Sequence, residues 1–508
     1  MTNRPLALCA LSLLLATSVT AQTHFGEVSF ANTGAAAAQP AFLRGLALLH
    51  DFEYPRAADN FREAQKIDPD FVMAYWGEAM TYTHPVWYQQ DAAAARAVLQ
   101  HLGATPADRA AKAKSDRERA YLQTIEVLYG DGSKDERDFK YADAMAALHQ
   151  KYPDDVDATA FYALALLGTS HNGRDTATYM RAAALLEDVF PTHQHHPGVL
   201  HYLIHSYDDP VHAPLGMRAA RLYGAVAPDA GHALHMTSHI FIAMGMWDDV
   251  IDANVRAINV VNAQRAASEL PPSHCGHYDT WLHYALLQKH RDEEARKDLD
   301  ACRAEAFDPA FKGGNAFNTE ERRINAYADM VASQVMSGVP LDDAERVKPA
   351  EKFVDAKFTL AYAGAFDAYR RGDAAALREA ATRLRAAQKE KEAGAKHADH
   401  ADMLWMNMNP NDARRIAIVI QEVDAMQMAT AGRREDAVAA LRKAVAAEQA
   451  MPFDFGPPFI EKPTLELLGE QLLAMKRNDD AAVAYRAALA RTPGRVAASD
   501  GLHASTGR

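Results

Sequence analysis

Leu465–Pro493 reads LELLGEQLLAMKRNDDAAVAYRAALARTP. Leu465, Leu468 and Gly469 lead, Ala481, Tyr485 and Ala488 follow, and Pro493 closes the run. Apolar residues at helical spacing on both sides of a short polar turn describe a helical hairpin. The small residues let its two helices approach closely, and proline cannot continue a helix. The same offsets recur near the start, where Gly45, Ala57, Phe61, Ala64 and Pro69 match in Arg44–Pro69, RGLALLHDFEYPRAADNFREAQKIDP. Further units hold Ser238, Phe241, Val250, Asn254 and Ala257, then Ala295, Leu299 and Cys302, then Ala425, Ala437, Leu441 and Ala444. Between them FVMAYWGEAMTYTH, ATAFYALALLGTS and TLAYAGAFDAYRRGD keep helical spacing. No segment sustains alternation, so strands are not expected.

These markers, at a period of about 34 residues, resemble the tetratricopeptide repeat. The expected fold is all-α: an α-solenoid of tetratricopeptide-like hairpins, curved into a superhelix with a concave groove. Residues 36–385 form the N-terminal and central array. Residues 386–411, rich in Lys, Glu and Ala and then Met and Asn, read as an irregular or inserted segment. Residues 412–495 hold the C-terminal repeats, and 496–508 a tail. The resemblance implies that the first helix of each unit lines the groove, through its second, fifth, ninth, twelfth and thirteenth positions.

At 508 residues the chain is too long for one compact core. It is 49% hydrophobic and 24% charged, and its formal net charge of −13 argues against a nucleic-acid or anionic-membrane partner. Arg4, the apolar run Leu6–Leu15 broken by Ser12, and the small residues Val19, Thr20 and Ala21 predict a signal peptide over 1–21. No other run reaches ~18 apolar residues. The mature protein is therefore expected to be exported, periplasmic or secreted, without membrane insertion. It keeps Cys275 and Cys302, for which a disulfide and two separate buried thiols both fit.

Nine of the 22 histidines fall between His193 and His239. Numbered by repeat position, His232, His235 and His239 take positions two, five and nine of one first helix. His201 and His205 take five and nine of the helix before, and His277 takes two of the helix after. His201 and His205 are i, i+4, as are His235 and His239, so each pair shares a helical face. Neighbouring helices pack about 8–10 Å apart, so the six rings can converge. Neutral imidazole suits transition metals, and the count allows one or two ions of copper, iron or zinc.

Other residues stand near this set. His50 and His84 fall at position thirteen of their own helices, His171 ends another, and His196 and His212 open the two helices of the His201 unit. Cys275 beside His277 could add a thiolate. Asp208 or Asp209 could accept from an imidazole N–H, or simply cap the YDDP turn. Trp76, with Tyr75, Tyr82 and Trp87, is either repeat packing or one wall of a ligand pocket beside His84. Phe453–Pro463, FDFGPPFIEKP, reads as an inter-repeat turn rather than a ligand contact.

Four stretches carry a wider likeness: AYWGEAMTYTHPVW, HPGVLHYLIHSYDDPVHAPLGMRAA, APDAGHALHMTSHIF followed by GMWDDVIDAN, and CGHYDTWLHYALLQ. Through them the chain resembles a family of secreted bacterial tetratricopeptide-repeat proteins. That resemblance implies a fold and a compartment and names no reaction.

There is no HExxH, GxSxG, P-loop, dinucleotide or CxxCH signature. Glu78 is the nearest groove candidate for a carboxylate base. Two readings follow. One is an exported solenoid with a histidine-lined transition-metal site, a metal-binding protein or a metal-dependent redox enzyme acting on a small molecule in the groove. The other is a periplasmic scaffold for a protein or peptide, whose histidines are polar groove residues or sense pH. Three neighbouring units sharing one residue type favour the metal.

Overall fold

The computed structural model describes residues 24–314, 318–339, 352–397 and 411–507. The segment 1–21 lies outside the described residues, as does 398–410. Twenty-three α-helices account for nearly all the secondary structure described. They pack as consecutive antiparallel hairpins, the build of a tetratricopeptide-like α-solenoid. Gln39–His50 pairs with Tyr54–Ile67, Gly231–Ala243 with Trp247–Ala267, and Thr464–Ala474 with Asn478–Arg491.

The small markers sit where helices touch. A Cβ at Gly45 would stand 3.0 Å from the Phe61 ring, and one at Gly469 would stand 2.6 Å from the Tyr485 ring. Helix starts are fixed by side chains: Thr105, Ser115 and Ser133 each close a capping box with the acidic residue three positions on.

Three features depart from the sequence reading. A short antiparallel pair, Thr83–His84 with Gln89–Gln90, interrupts the helices. Two residues per strand are too few to leave an alternating pattern. Residues 386–397 continue the Ala374–His397 helix. The expected tail forms a helix, Val496–Thr506.

The array also folds back on itself. Gln39–His50 packs on Pro197–Tyr207 from far along the chain. The C-terminal turn docks on the centre: Trp247 Nε1 donates to Gly494 O at 2.8 Å, and Arg495 Nη1 to Tyr284 Oη at 2.5 Å. No helix among the described residues is long and apolar enough to cross a membrane.

Candidate metal centre

Three successive first helices build the centre. Pro197–Tyr207 starts at His196, whose Nδ1 accepts the Val199 N–H at 3.3 Å. Gly231–Ala243 is buried along its whole length. His277–Gln288 starts where Asp279 accepts the Gly276 N–H at 3.0 Å. Helical spacing then carries His201 and His205 onto the face that meets His232, His235 and His239.

Ligand-capable nitrogens of His201, His205 and His232 all lie within 4.8 Å of one another, and so do those of His235, His239 and His277. The two triads abut. The rings of His205 and His239 are 5.4 Å apart, and those of His232 and His235 are 5.9 Å apart. His277 stands at the exposed rim, and the other five rings are buried.

The outer nitrogens are anchored. His201 Nδ1 donates to the His50 carbonyl at 2.6 Å. His235 Nδ1 donates to Asn254 Oδ1 at 2.7 Å. His239 Nδ1 lies 3.1 Å from Asp208 Oδ2, and His205 Nδ1 lies 3.4 Å from the same oxygen. A donor at Nδ1 leaves the lone pair on Nε2. The Nε2 atoms of His201, His205, His232, His235 and His239 are all buried without a hydrogen-bond partner among the described residues.

Burial favours the neutral imidazole at His201, His232, His235 and His239. It holds His201, His232 and His235 well below the ordinary imidazole range, and the adjoining histidines add to the effect. For His239 burial outweighs the pull of Asp208 and leaves the ring at about 4. Burial alone would raise Asp208, but hydrogen bonds from His205 and His239 and the charge of Arg174 hold it below the usual carboxylate range. Arg174 Nη1 reaches Asp208 Oδ1 at 2.6 Å, and Arg174 Nη2 reaches Asp209 Oδ2 at 2.8 Å.

Of the two acids, then, Asp208 takes the imidazoles. Asp209 caps the turn through the amides of Val211 and His212 and holds the His212 ring at 2.7 Å.

The remaining candidates lie outside the triads. The His50 and His196 side chains share Asp157, at 2.9 and 3.3 Å. His84 stacks on Tyr54 with ring centroids 4.0 Å apart, and His171 pairs with Asp138 at 2.9 Å. Trp76 is core, packed against Phe30, Tyr121 and Phe161. Glu78 turns to Arg62 and Gln65, both at 2.7 Å, and is no base for this centre. Cys275 is joined to Cys302 in a disulfide, so its sulfur is no thiolate ligand.

Sequence reasoning missed the aromatic enclosure. Trp281 stacks on His239 at 4.6 Å, Tyr278 lies 4.7 Å from His235, and Phe52 lies 4.2 Å from His201. Phe455 covers His239 at 4.9 Å. The Pro-rich stretch around it is therefore a roof as well as a turn, seated on Trp281 through Gly456. Only the aromatic content of FDFGPPF hinted at this.

No family model matches the sequence, and no curated protein matches it. Solved structures are similar to it at low identity. A chain of the APC/C hetero-tetramer Cut9-Hcn1 is 11% identical over 94% of this chain and 78% of that one, with a TM-score of 0.35. Yeast Tom70 is 12% identical over 93% and 96%, with a TM-score of 0.34. The tetratricopeptide domain of P58(IPK) is 12% identical over 93% and 98%, with a TM-score of 0.21. Nothing about ligands is carried across from these likenesses.

Proposed function

We propose that this protein is an exported, metal-binding solenoid that holds a transition metal on His201, His205, His232, His235, His239 and His277. One observation carries the reading: five buried Nε2 atoms have no hydrogen-bond partner among the described residues, on histidines whose ligand-capable nitrogens converge. A buried polar atom left unpaired costs about 1–3 kcal/mol. Five would together cost roughly 5–15 kcal/mol, as much as the whole stability of a domain. Lone pairs arranged at that cost fit a cation, and the Nδ1 anchors fit the usual support of metal-bound imidazole.

The donor set favours holding or redox use of the metal over hydrolysis. Hydrolytic zinc sites usually add a carboxylate base. Here Asp208 is committed to two imidazoles and Arg174, and Glu78 faces elsewhere. Export is supported by the leader-like N-terminus and by the Cys275–Cys302 disulfide, which suits an oxidising compartment.

The test is elemental analysis of untagged protein beside a His205→Ala/His239→Ala variant. Stoichiometric copper, iron or zinc, lost in the variant while helicity stays, is expected. No metal as purified, and none taken up at micromolar concentration, would overturn the reading and leave a scaffold for a protein partner.

A further inference from the structure

The six histidines form two groups of three, and a third group, His205, Asp208 and His239, joins one member of each. A metal–imidazole bond is about 2.0–2.1 Å, so nitrogens sharing one ion lie within about 4.2 Å of each other. Each triad, at no more than 4.8 Å between its nitrogens, comes close to that span within itself. Each also borrows rigidity from a different part of the fold. The first hangs on the His50 carbonyl of the N-terminal hairpin, and the second on Asn254 of the Trp247–Ala267 helix. One group joins them: Asp208 Oδ2 faces His205 of the first and His239 of the second.

The charge of the surroundings bears on which ions would occupy the pair. All six donors are imidazoles, which ligate a metal in the neutral form. The carboxylate between them, Asp208, shares the one guanidinium of Arg174 with Asp209, so the three groups together leave one negative charge. Asp209 is likewise held by Arg174 and His212. Asp157 lies behind His50 and His196. Of these carboxylates Asp208 alone faces both triads, and one negative charge balances two monovalent cations more nearly than two divalent ones. The charge product is one for a monovalent pair and four for a divalent pair, so their repulsion differs about fourfold at equal distance. Desolvation weighs against the divalent pair in the same sense. Three imidazoles complete a site for copper(I), whereas zinc would need a fourth ligand at each position.

We propose that the centre is two separate three-histidine sites, His201/His205/His232 and His235/His239/His277, each taking one copper(I) ion, with Asp208 a positioning residue shared by both. This rests on the metal-binding reading above and goes beyond it in number, valence and coupling.

The experiment is anaerobic titration of metal-free protein with copper(I), in competition with a chromophoric copper(I) chelator, and with zinc(II) in parallel. Two equivalents of copper(I) are expected in the native chain. One is expected in His201→Ala/His232→Ala and one in His235→Ala/His277→Ala. Asp208→Asn should keep two equivalents, each weakened at least tenfold, because one substitution loosens rings in both triads. Should a double variant fail to fold, His277→Ala, at the exposed rim, serves instead and should weaken one equivalent alone. A single equivalent, abolished by either pair of substitutions, would overturn the two-site proposal. So would zinc held in preference to copper(I), or an Asp208→Asn effect confined to one equivalent. Absence of copper(I) and zinc binding here, with no metal in the protein as purified, would instead remove the metal-binding reading beneath it.

Discussion

Asn254 accepts the Nδ1–H of His235 at 2.7 Å, while its own amide donates to Val250 O at 2.8 Å. Among the described residues its side chain hydrogen-bonds to no other candidate ligand, so it separates orientation of a ring from donation by it. Asn254→Ala should weaken metal binding about 10–100-fold, the usual effect of removing an imidazole's outer partner. Asn254→Asp, which keeps the acceptor, should recover most of that loss, and chelator competition reads both. Equal loss in the two variants would mean that Asn254 only packs. The six histidines were legible in the sequence because i, i+4 spacing fixes a face and repeat position fixes which face lines the groove. Asn254 was legible only as a repeat marker, and Arg174 and Trp281 not at all. Their roles depend on which helices become neighbours, and no residue type announces that. The sequence alone leaves Asp208 and Asp209 open between capping and imidazole contact. The turn geometry divides the two roles between them.

At the scale of elements, the repeats were read from small residues at fixed offsets, and these are contact points. Gly198 shows what they position. A Cβ there would stand 2.3 Å from His50 Nδ1, in the interface that brings the N-terminal hairpin onto the His201 helix. Gly198→Ala should destabilise the protein by about 1–3 kcal/mol through overpacking. It should also weaken metal binding, because the His50 carbonyl that orients His201 moves with the hairpin. Gly364, midway along Val354–Arg371, meets nothing nearer than 3.7 Å. There Gly364→Ala should leave metal binding unchanged and stabilise by roughly 0.5–1 kcal/mol through helix propensity. Thermal unfolding of the two variants checks the pair, and equal effects would contradict the packing account. The hairpins were legible because each is local. The Phe455 roof and the docking of Arg495 on Tyr284 were not, since they join segments far apart in the chain.

At the scale of the whole molecule, burial of so many imidazoles makes the metal-free protein sensitive to acid. Burial lowers His50, His84, His239 and His283 each to about 4. In the unfolded chain each titrates near 6.5. Their stabilisation is therefore complete above about pH 6.5 and is lost as pH falls toward 4. Each costs about 1.4 kcal/mol per pH unit within that window. Asp298 and Asp329, raised by burial to about 7, act in the opposite direction, as do Asp51, Asp279 and Glu422, raised well above the usual carboxylate range. They are outnumbered by the eight histidines that burial lowers, those four with His201, His232, His235 and His277. Denaturant unfolding of metal-free protein should show stability falling steeply from pH 7 to pH 5, and a flat profile would contradict the buried neutral state. Bound metal should hold stability to lower pH, because protons must then displace it from the same nitrogens. The most direct measurement of the centre itself is anomalous diffraction at the copper edge from crystals of copper-loaded protein. The account predicts two peaks, each about 2.0–2.1 Å from three histidine Nε2 atoms. Copper found only elsewhere on the molecule, with none among these six rings, would contradict it.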